Sequence, residues 1–247
     1  MDEYENVKKA FDEYFDTFKL SNKRMILKYK HCYKVANLME ELAKRLGLSK
    51  EDVALAKIIG LLHDVGRFEQ LKQIESFNDD KFDHADFAVE YLFKDKHIRD
   101  FLKDSSYDEI IAKSILYHNK YSLPSNLSDR ELLFCKMIKD MDKTDIYYQV
   151  GINYQPKFVD KVTDKVLEDF NNKKLIERKY KKNGSDEVVN MMSFLYDYYF
   201  DESLDILVET DNLGLYLSTV EVSEENEELF KNLVGQCYKK INDGVNN

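Results

Sequence analysis

The sequence predicts an all-α protein, and three observations carry that expectation. Only 2 prolines and 8 glycines punctuate 247 residues. Alternating β-branched stretches are scarce, and apolar residues recur at helical spacing behind legible N-caps. The breaks in the pattern are caps rather than hairpin turns.

The elements follow in order. Residues 3 to 19 carry Tyr4, Val7, Phe11, Tyr14, Phe15 and Phe18 at helical spacing, an aromatic stripe that packs a first helix on the core. A second helix, about 23 to 46, lines up Leu27, His31, Val35, Leu38 and Leu42 and stops at Gly47, so His31 points inward. Ser49 and Asp52 make a capping box, stapled by Leu48 and Val53, that opens a third helix. From Val53 to Leu62 this helix is apolar nearly all round apart from Lys57, as a central helix is. His63 and Asp64 arrive at its last turn, before Gly66 ends it and lets the chain turn sharply.

Three further starts are legible. Asp83 caps a helix whose first residue is His84, with Phe82 and Phe87 placed for a staple. Ser106 and Glu109 box a helix whose stripe of Ile111 and Ile115 is extended by His118. Ser128 and Glu131 open another, in which Phe134, Ile138 and Asp142 follow at steps of four and set Asp142 on the apolar face. Beyond about residue 150 the texture changes. A basic, turn-rich segment runs from Asn171 through Gly184, and two or three amphipathic helices follow, with Met192, Leu195, Tyr196 and Tyr199 on one face. The organisation expected is a domain over residues 1–150 and a helical C-terminal extension over 151–247 that covers the active site.

Bulk properties bound the function. A chain of 247 residues buries a sizeable core without disulfides, and Cys32, Cys135 and Cys237 lack metal or redox spacing. The acidic start, Met1 to Glu5, does not read as a signal peptide, and no apolar run approaches the roughly 20 residues of a membrane span. A cytoplasmic protein without membrane association is the expectation. The formal net charge of −10 repels duplex nucleic acid, whereas a small phosphorylated ligand needs only a local cationic pocket.

A His-Asp pair alone carries little, since five histidines yield roughly half of one such pair by chance when Asp is about one residue in ten. Its setting carries more. Four of the five histidines, His31, His63, His84 and His118, fall at helix ends or on apolar faces, and Asp64 and Asp142 share that setting. Burying six such groups costs several kcal/mol each unless something pairs with them. A divalent cation satisfies all six, and imidazoles mixed with carboxylates suit Mn, Fe, Ni, Co or Zn better than Ca or an all-oxygen Mg site. His97, in a polar stretch, reads as a solvated bystander.

The ordered set His31, His63-Asp64 and Asp142, on successive helices, resembles the HD-domain metal-dependent phosphohydrolases, and Leu62-His63-Asp64-Val65-Gly66-Arg67 resembles that family's most recognisable stretch. The likeness covers roughly residues 23 to 148 and implies an HD-domain helical bundle. His84 and His118 resemble the two further ligands of dinuclear members, so the resemblance implies two divalent transition metals. One would sit on His31, His63, Asp64 and Asp142, the other on His84 and His118, with Asp64 bridging. The implied activity is cleavage of a phosphoester or phosphoanhydride in a small nucleotide-like substrate by a metal-bridged hydroxide. No Gly-Tyr-Pro loop follows His118, where Asn119-Lys120-Tyr121 stand, so cyclic di-GMP specificity is not implied.

Around these ligands, Arg67, Lys34 and Lys120 are candidates to position the phosphate, and Asp145, one turn beyond Asp142, to orient a ligand or accept a proton. Tyr117, Tyr121, Tyr147 and Tyr148 are candidates to stack on a base. Two other functions use the same ligands: a di-iron oxygenase of this type, and a non-catalytic module that binds metal and nucleotide. A homodimer is a further expectation that no particular residue carries.

Overall fold

The computed structural model describes residues 3–18 and 23–245. Met1, Asp2 and the expected helix end at residue 19 lie outside them. The aromatic stripe forms α1 (Glu3–Asp16), which buries Tyr4, Val7, Phe11 and Phe15. The second stripe forms α2 (Lys23–Arg45). Gly47, at φ +66°, ends it in the left-handed conformation. Leu48 N–H there donates to Ala43 O and Gly47 N–H to Lys44 O, which satisfies two of the helix's last carbonyls. Ser49 then caps α3 (Lys50–Leu62), its side chain accepting from Asp52 N–H.

Packing brings α2 and α3 together along their length. Gly60 permits the approach: a Cβ there would sit 2.7 Å from the Ala36 Cα. The expected sharp turn at Gly66 is corrected. Gly66 is the first residue of α4 (Gly66–Ile74), its φ is not positive, and α3 passes into α4 almost without interruption. What requires glycine is space, since a Cβ at Gly66 would lie 2.1 Å from His84 O.

Asp83 caps α5 (His84–Val89) by accepting from Ala85 N–H and Asp86 N–H. The Phe82 and Phe87 rings close its staple at 5.2 Å, and a π turn over Glu90–Lys94 continues it. After α6 (Ile98–Phe101) comes α7 (Asp108–Tyr117). Its predicted box is corrected: Ser106 is drawn back to Asp104, to which both its N–H and its hydroxyl donate. Tyr107 therefore stands at the N-cap without a side-chain capping bond. The Ser128–Glu131 box does form, with Ser128 N–H donating to Glu131 at 2.8 Å, and it opens α8 (Asp129–Asn153).

Two compact units divide the chain, residues 1–142 and 143–247, with the division inside α8. The second unit contains α9 (Asp164–Asn171), α10 (Gly184–Ser193), α11 (Asp201–Thr210), α12 (Asn212–Ser218) and α13 (Glu227–Val245). Two-residue strands β1 (Lys157–Phe158) and β2 (Glu221–Val222) pair in parallel. Its core gathers Tyr147, Phe158, Phe170, Met192, Leu195 and Tyr216. A continuous helical face from Met192 to Tyr199 does not form: a 3₁₀ turn over Phe194–Asp197 follows α10, and Asp211, left-handed at φ +51°, separates α11 from α12. Buried Asp186 pins the basic segment by accepting from Thr163 and from Lys182 N–H. Among the described residues no helix is long and apolar enough to cross a membrane.

Candidate metal centre

Helix ends and helix faces of the first unit deliver the six predicted ligands. His31 comes from the middle of α2, and His63 and Asp64 from the junction of α3 and α4. His84 comes from the first turn of α5, His118 from the C-cap of α7, and Asp142 from α8. His31, His63, Asp64, His84 and His118 are buried, and the Asp142 side chain keeps 14 % exposure. Three overlapping groups have ligand atoms all within 4.8 Å of one another: His31 with His63 and Asp64, His63 with His118 and Asp142, and Asp64 with His84 and His118.

Asp64 divides its two oxygens between two sets of imidazoles. Its Oδ2 lies 3.5 Å from His31 Nε2 and 3.6 Å from His63 Nε2. Asp142 Oδ1 completes that set at 3.0 Å from His31 Nε2 and 3.5 Å from His63 Nε2. On the other side, Asp64 Oδ1 lies 3.0 Å from His84 Nε2 and 3.6 Å from His118 Nε2, and those two nitrogens are 2.9 Å apart. A metal at about 2.1 Å from its ligands spaces neighbouring donors by about 3.0 Å in an octahedron and about 3.4 Å in a tetrahedron. Both sets match that spacing. Among the described residues, His63 Nε2 and Asp142 Oδ1 are buried without a hydrogen-bond partner. Such orphaned buried atoms are what a bound cation satisfies.

The outer atoms of the rings fix their orientation. His63 Nδ1 donates to Gly60 O at 2.8 Å and His118 Nδ1 to Ile115 O at 2.6 Å, so each presents an Nε2 lone pair to the cluster. His84 Nδ1 meets Asp79 Oδ1 at 2.7 Å. Burial pulls His118 down to about 4, which keeps its imidazole neutral at physiological pH. Burial alone would push Asp64 up, but the Lys28 ammonium beside it outweighs that and holds the carboxyl well below its ordinary range. Asp142 is held low in the same way by His31 and His63.

The predicted substrate-positioning residues take separate places. Arg67 directs its guanidinium away from solvent: Nη1 donates to Asp79 and to Gln70 Oε1, each at 2.7 Å, and to Phe77 O at 3.2 Å. Lys120 pairs with Asp83 and Asp86 at 2.6 and 2.8 Å, bracing the cap of α5. Lys34 lines a shallow cleft with Lys8, Asp12, Tyr29, Lys30 and Tyr33, away from the ligand cluster. Asp145 is buried on α8 and accepts from Gln149. Tyr147 is in the second unit's core, its hydroxyl donating to Met191 O, and is closed to a base, whereas Tyr121 is exposed. His97 stacks on Tyr91 at the surface.

Three residues at the site escaped the sequence reading. Lys28 Nζ stands 2.7 Å from Asp64 Oδ2. Its signal was available, because it precedes His31 by three positions and so shares its face of α2. Gln70 offered the same kind of signal, three positions after Arg67 on α4, whereas Asp79 gave none, since it lies in an irregular loop where no periodicity points to burial.

Compared with family models, residues 29–147 match the HD domain. No curated protein and no solved structure matches the chain.

Proposed function

Residues 29–147 are an HD domain, and from that premise we propose that this protein is a metal-dependent phosphohydrolase acting on a phosphoester or phosphoanhydride of a small nucleotide-like substrate. The observation that carries the reading is the division of Asp64: its two oxygens face two separate imidazole sets, as a carboxylate bridging two cations requires. His31, His63, Asp64 and Asp142 would hold one cation, and His84, His118 and Asp64 the other. Two bound cations supply a nucleophile from water at neutral pH and neutralise charge developing on the phosphoryl oxygens.

The chain's own residues do the rest. His63, His84 and His118 take their ring orientation from backbone carbonyls and Asp79, so these three need no rearrangement to present their lone pairs. Burial of the cluster excludes bulk water, which strengthens each electrostatic contact to an anionic substrate. Lys28, partly exposed beside Asp64, is the cation best placed to meet a phosphate.

The test combines elemental analysis with a phosphate-release screen over mononucleotides, dinucleoside polyphosphates and cyclic nucleotides under Mn, Co, Ni and Mg. The expected result is about two equivalents of metal and release from at least one substrate class. Chromophoric iron with substrate-dependent oxygen consumption would replace hydrolysis with oxygenation. Metal and nucleotide binding without turnover would leave a non-catalytic module.

A further inference from the structure

We propose that Lys28 is a displaceable counter-ion: in the metal-free protein its ammonium occupies the carboxylate oxygen that the first cation needs, and metal uptake drives it off. Lys28 lies on α2 one turn before His31, so the helix that delivers a ligand also delivers the ammonium. Its Nζ is 2.7 Å from Asp64 Oδ2. That oxygen, and not Oδ1, is the one facing His31 and His63.

Charge explains both halves of the behaviour. The Asp64 and Asp142 carboxylates bring two negative charges to the metal-free cluster, and the Lys28 ammonium, 2.7 Å from Asp64 Oδ2, offsets part of that. A divalent cation arriving at the same oxygen puts two positive charges against a third within a few ångströms. The repulsion is worth about tenfold in affinity even at a water-like dielectric. His63 cannot yield, being buried and braced by Gly60 O. Lys28 can: its side chain is 18 % exposed and its Nζ already lies 5.6 Å from the face of Phe77, an apolar surface with a cation-attracting π face.

The inference rests on the metal-centre reading and not on hydrolysis, so its test reads binding. Mn²⁺ is titrated calorimetrically into the full chain, wild type against Lys28→Met, which keeps most of the stem and removes the charge. The metal-free variant should unfold at a lower temperature than the wild type, while its affinity for the tighter Mn²⁺ equivalent rises about tenfold or more. Lys28→Arg, which keeps the charge, should bind Mn²⁺ as the wild type does. On the wild type itself, reductive methylation followed by peptide mass spectrometry should find Lys28 protected without metal and modified once Mn²⁺ saturates the site. Unchanged or weaker Mn²⁺ affinity in folded Lys28→Met overturns the proposal, as does continued protection of Lys28 in metal-saturated wild type. A wild type that takes up no Mn²⁺ overturns both this inference and the metal centre. Uptake without phosphate release removes only hydrolysis and leaves Lys28 displacement standing.

Discussion

Gly66→Ala is a one-methyl change that should reach the candidate metal centre without touching a predicted ligand. A Cβ at position 66 would lie 2.1 Å from His84 O, 3.0 Å from His84 C and 3.3 Å from Ala88 Cβ. Since ordinary carbon–oxygen contact is about 3.2 Å, the start of α5 must retreat by about 1 Å, and the obstacle is backbone, which has no rotamer to change. Overpacking of this kind costs about 1–3 kcal/mol, or roughly 2–12 °C in melting temperature for a protein of this size. The same retreat carries His84 Nε2 out of a site that tolerates about 0.2 Å in its metal–ligand distances. Calorimetry and elemental analysis of the purified variant should therefore show a lowered melting temperature together with a fall from about two metals toward one. A variant with wild-type melting and full metal would refute the close contact between α4 and α5 and with it this account of why glycine stands there.

The other consequences concern ligands, their braces and pH. Asp64→Ala removes the carboxylate shared by both sets and should lose both metals and all turnover, whereas His84→Ala or His118→Ala should lower the metal content toward one equivalent with the fold intact; elemental analysis and circular dichroism distinguish them, and full metal in Asp64→Ala defeats the bridging assignment. Asp79→Asn weakens the acceptor on His84 Nδ1–H and should lower affinity for the second cation about 10- to 100-fold in a Mn²⁺ titration, with the first cation unaffected. The metal-free protein should lose stability as pH falls. His118 titrates near 4 when folded and near its ordinary value of about 6.5 when unfolded, so between those values the unfolded chain binds the extra proton, and at most roughly 3 kcal/mol is lost over that window. Below about pH 4 the depressed Asp64 and Asp142 continue the loss. Urea unfolding at pH 7 and pH 5 measures the first part, and equal stability at both would contradict a neutral buried His118.

Much of this centre was readable because local rules position its ligands. The capping boxes at Ser49 and Ser128 and the cap at Asp83 fixed where helices start, and the stripes ending in His118 and Asp142 fixed which way those side chains turn. Each is a short-range effect within about one helical turn. Failures came where a tertiary contact or a competing local acceptor decides. Gly66 has the sequence signature of a helix stop but serves the approach of α5, a segment eighteen residues on. Ser106 had a suitable partner in Glu109 and was captured instead by Asp104, a competing acceptor two residues back. Asp79 lies on no periodic element, so only the folded chain reveals that it braces His84.

Arg67 shows how a residue near the chemistry can act through another. Read alone, a guanidinium three residues after Asp64 suits a phosphate, because its planar fork grips two oxygens. In the fold that fork meets Asp79 at 2.7 and 3.4 Å, and Arg67 Nε lies 3.5 Å from Asp64 Oδ1. Burial alone would push Asp79 up, but His84, Arg67 and Gln70 together hold it well below the carboxylate range. It stays ionised and keeps the proton on His84 Nδ1, leaving Nε2 free to bind metal. On the proposed two-cation reading, this geometry makes Arg67 a positioning residue for the second cation. Arg67→Lys retains the charge and loses the fork, so the first observable should be weaker binding of the second Mn²⁺ equivalent, about 10-fold or more, with substrate KM little changed once metal is saturating. If the variant instead keeps both metals at wild-type affinity and loses kcat/KM through a raised KM, Arg67 leaves Asp79 to reach the substrate, and the brace it forms here is not its working state.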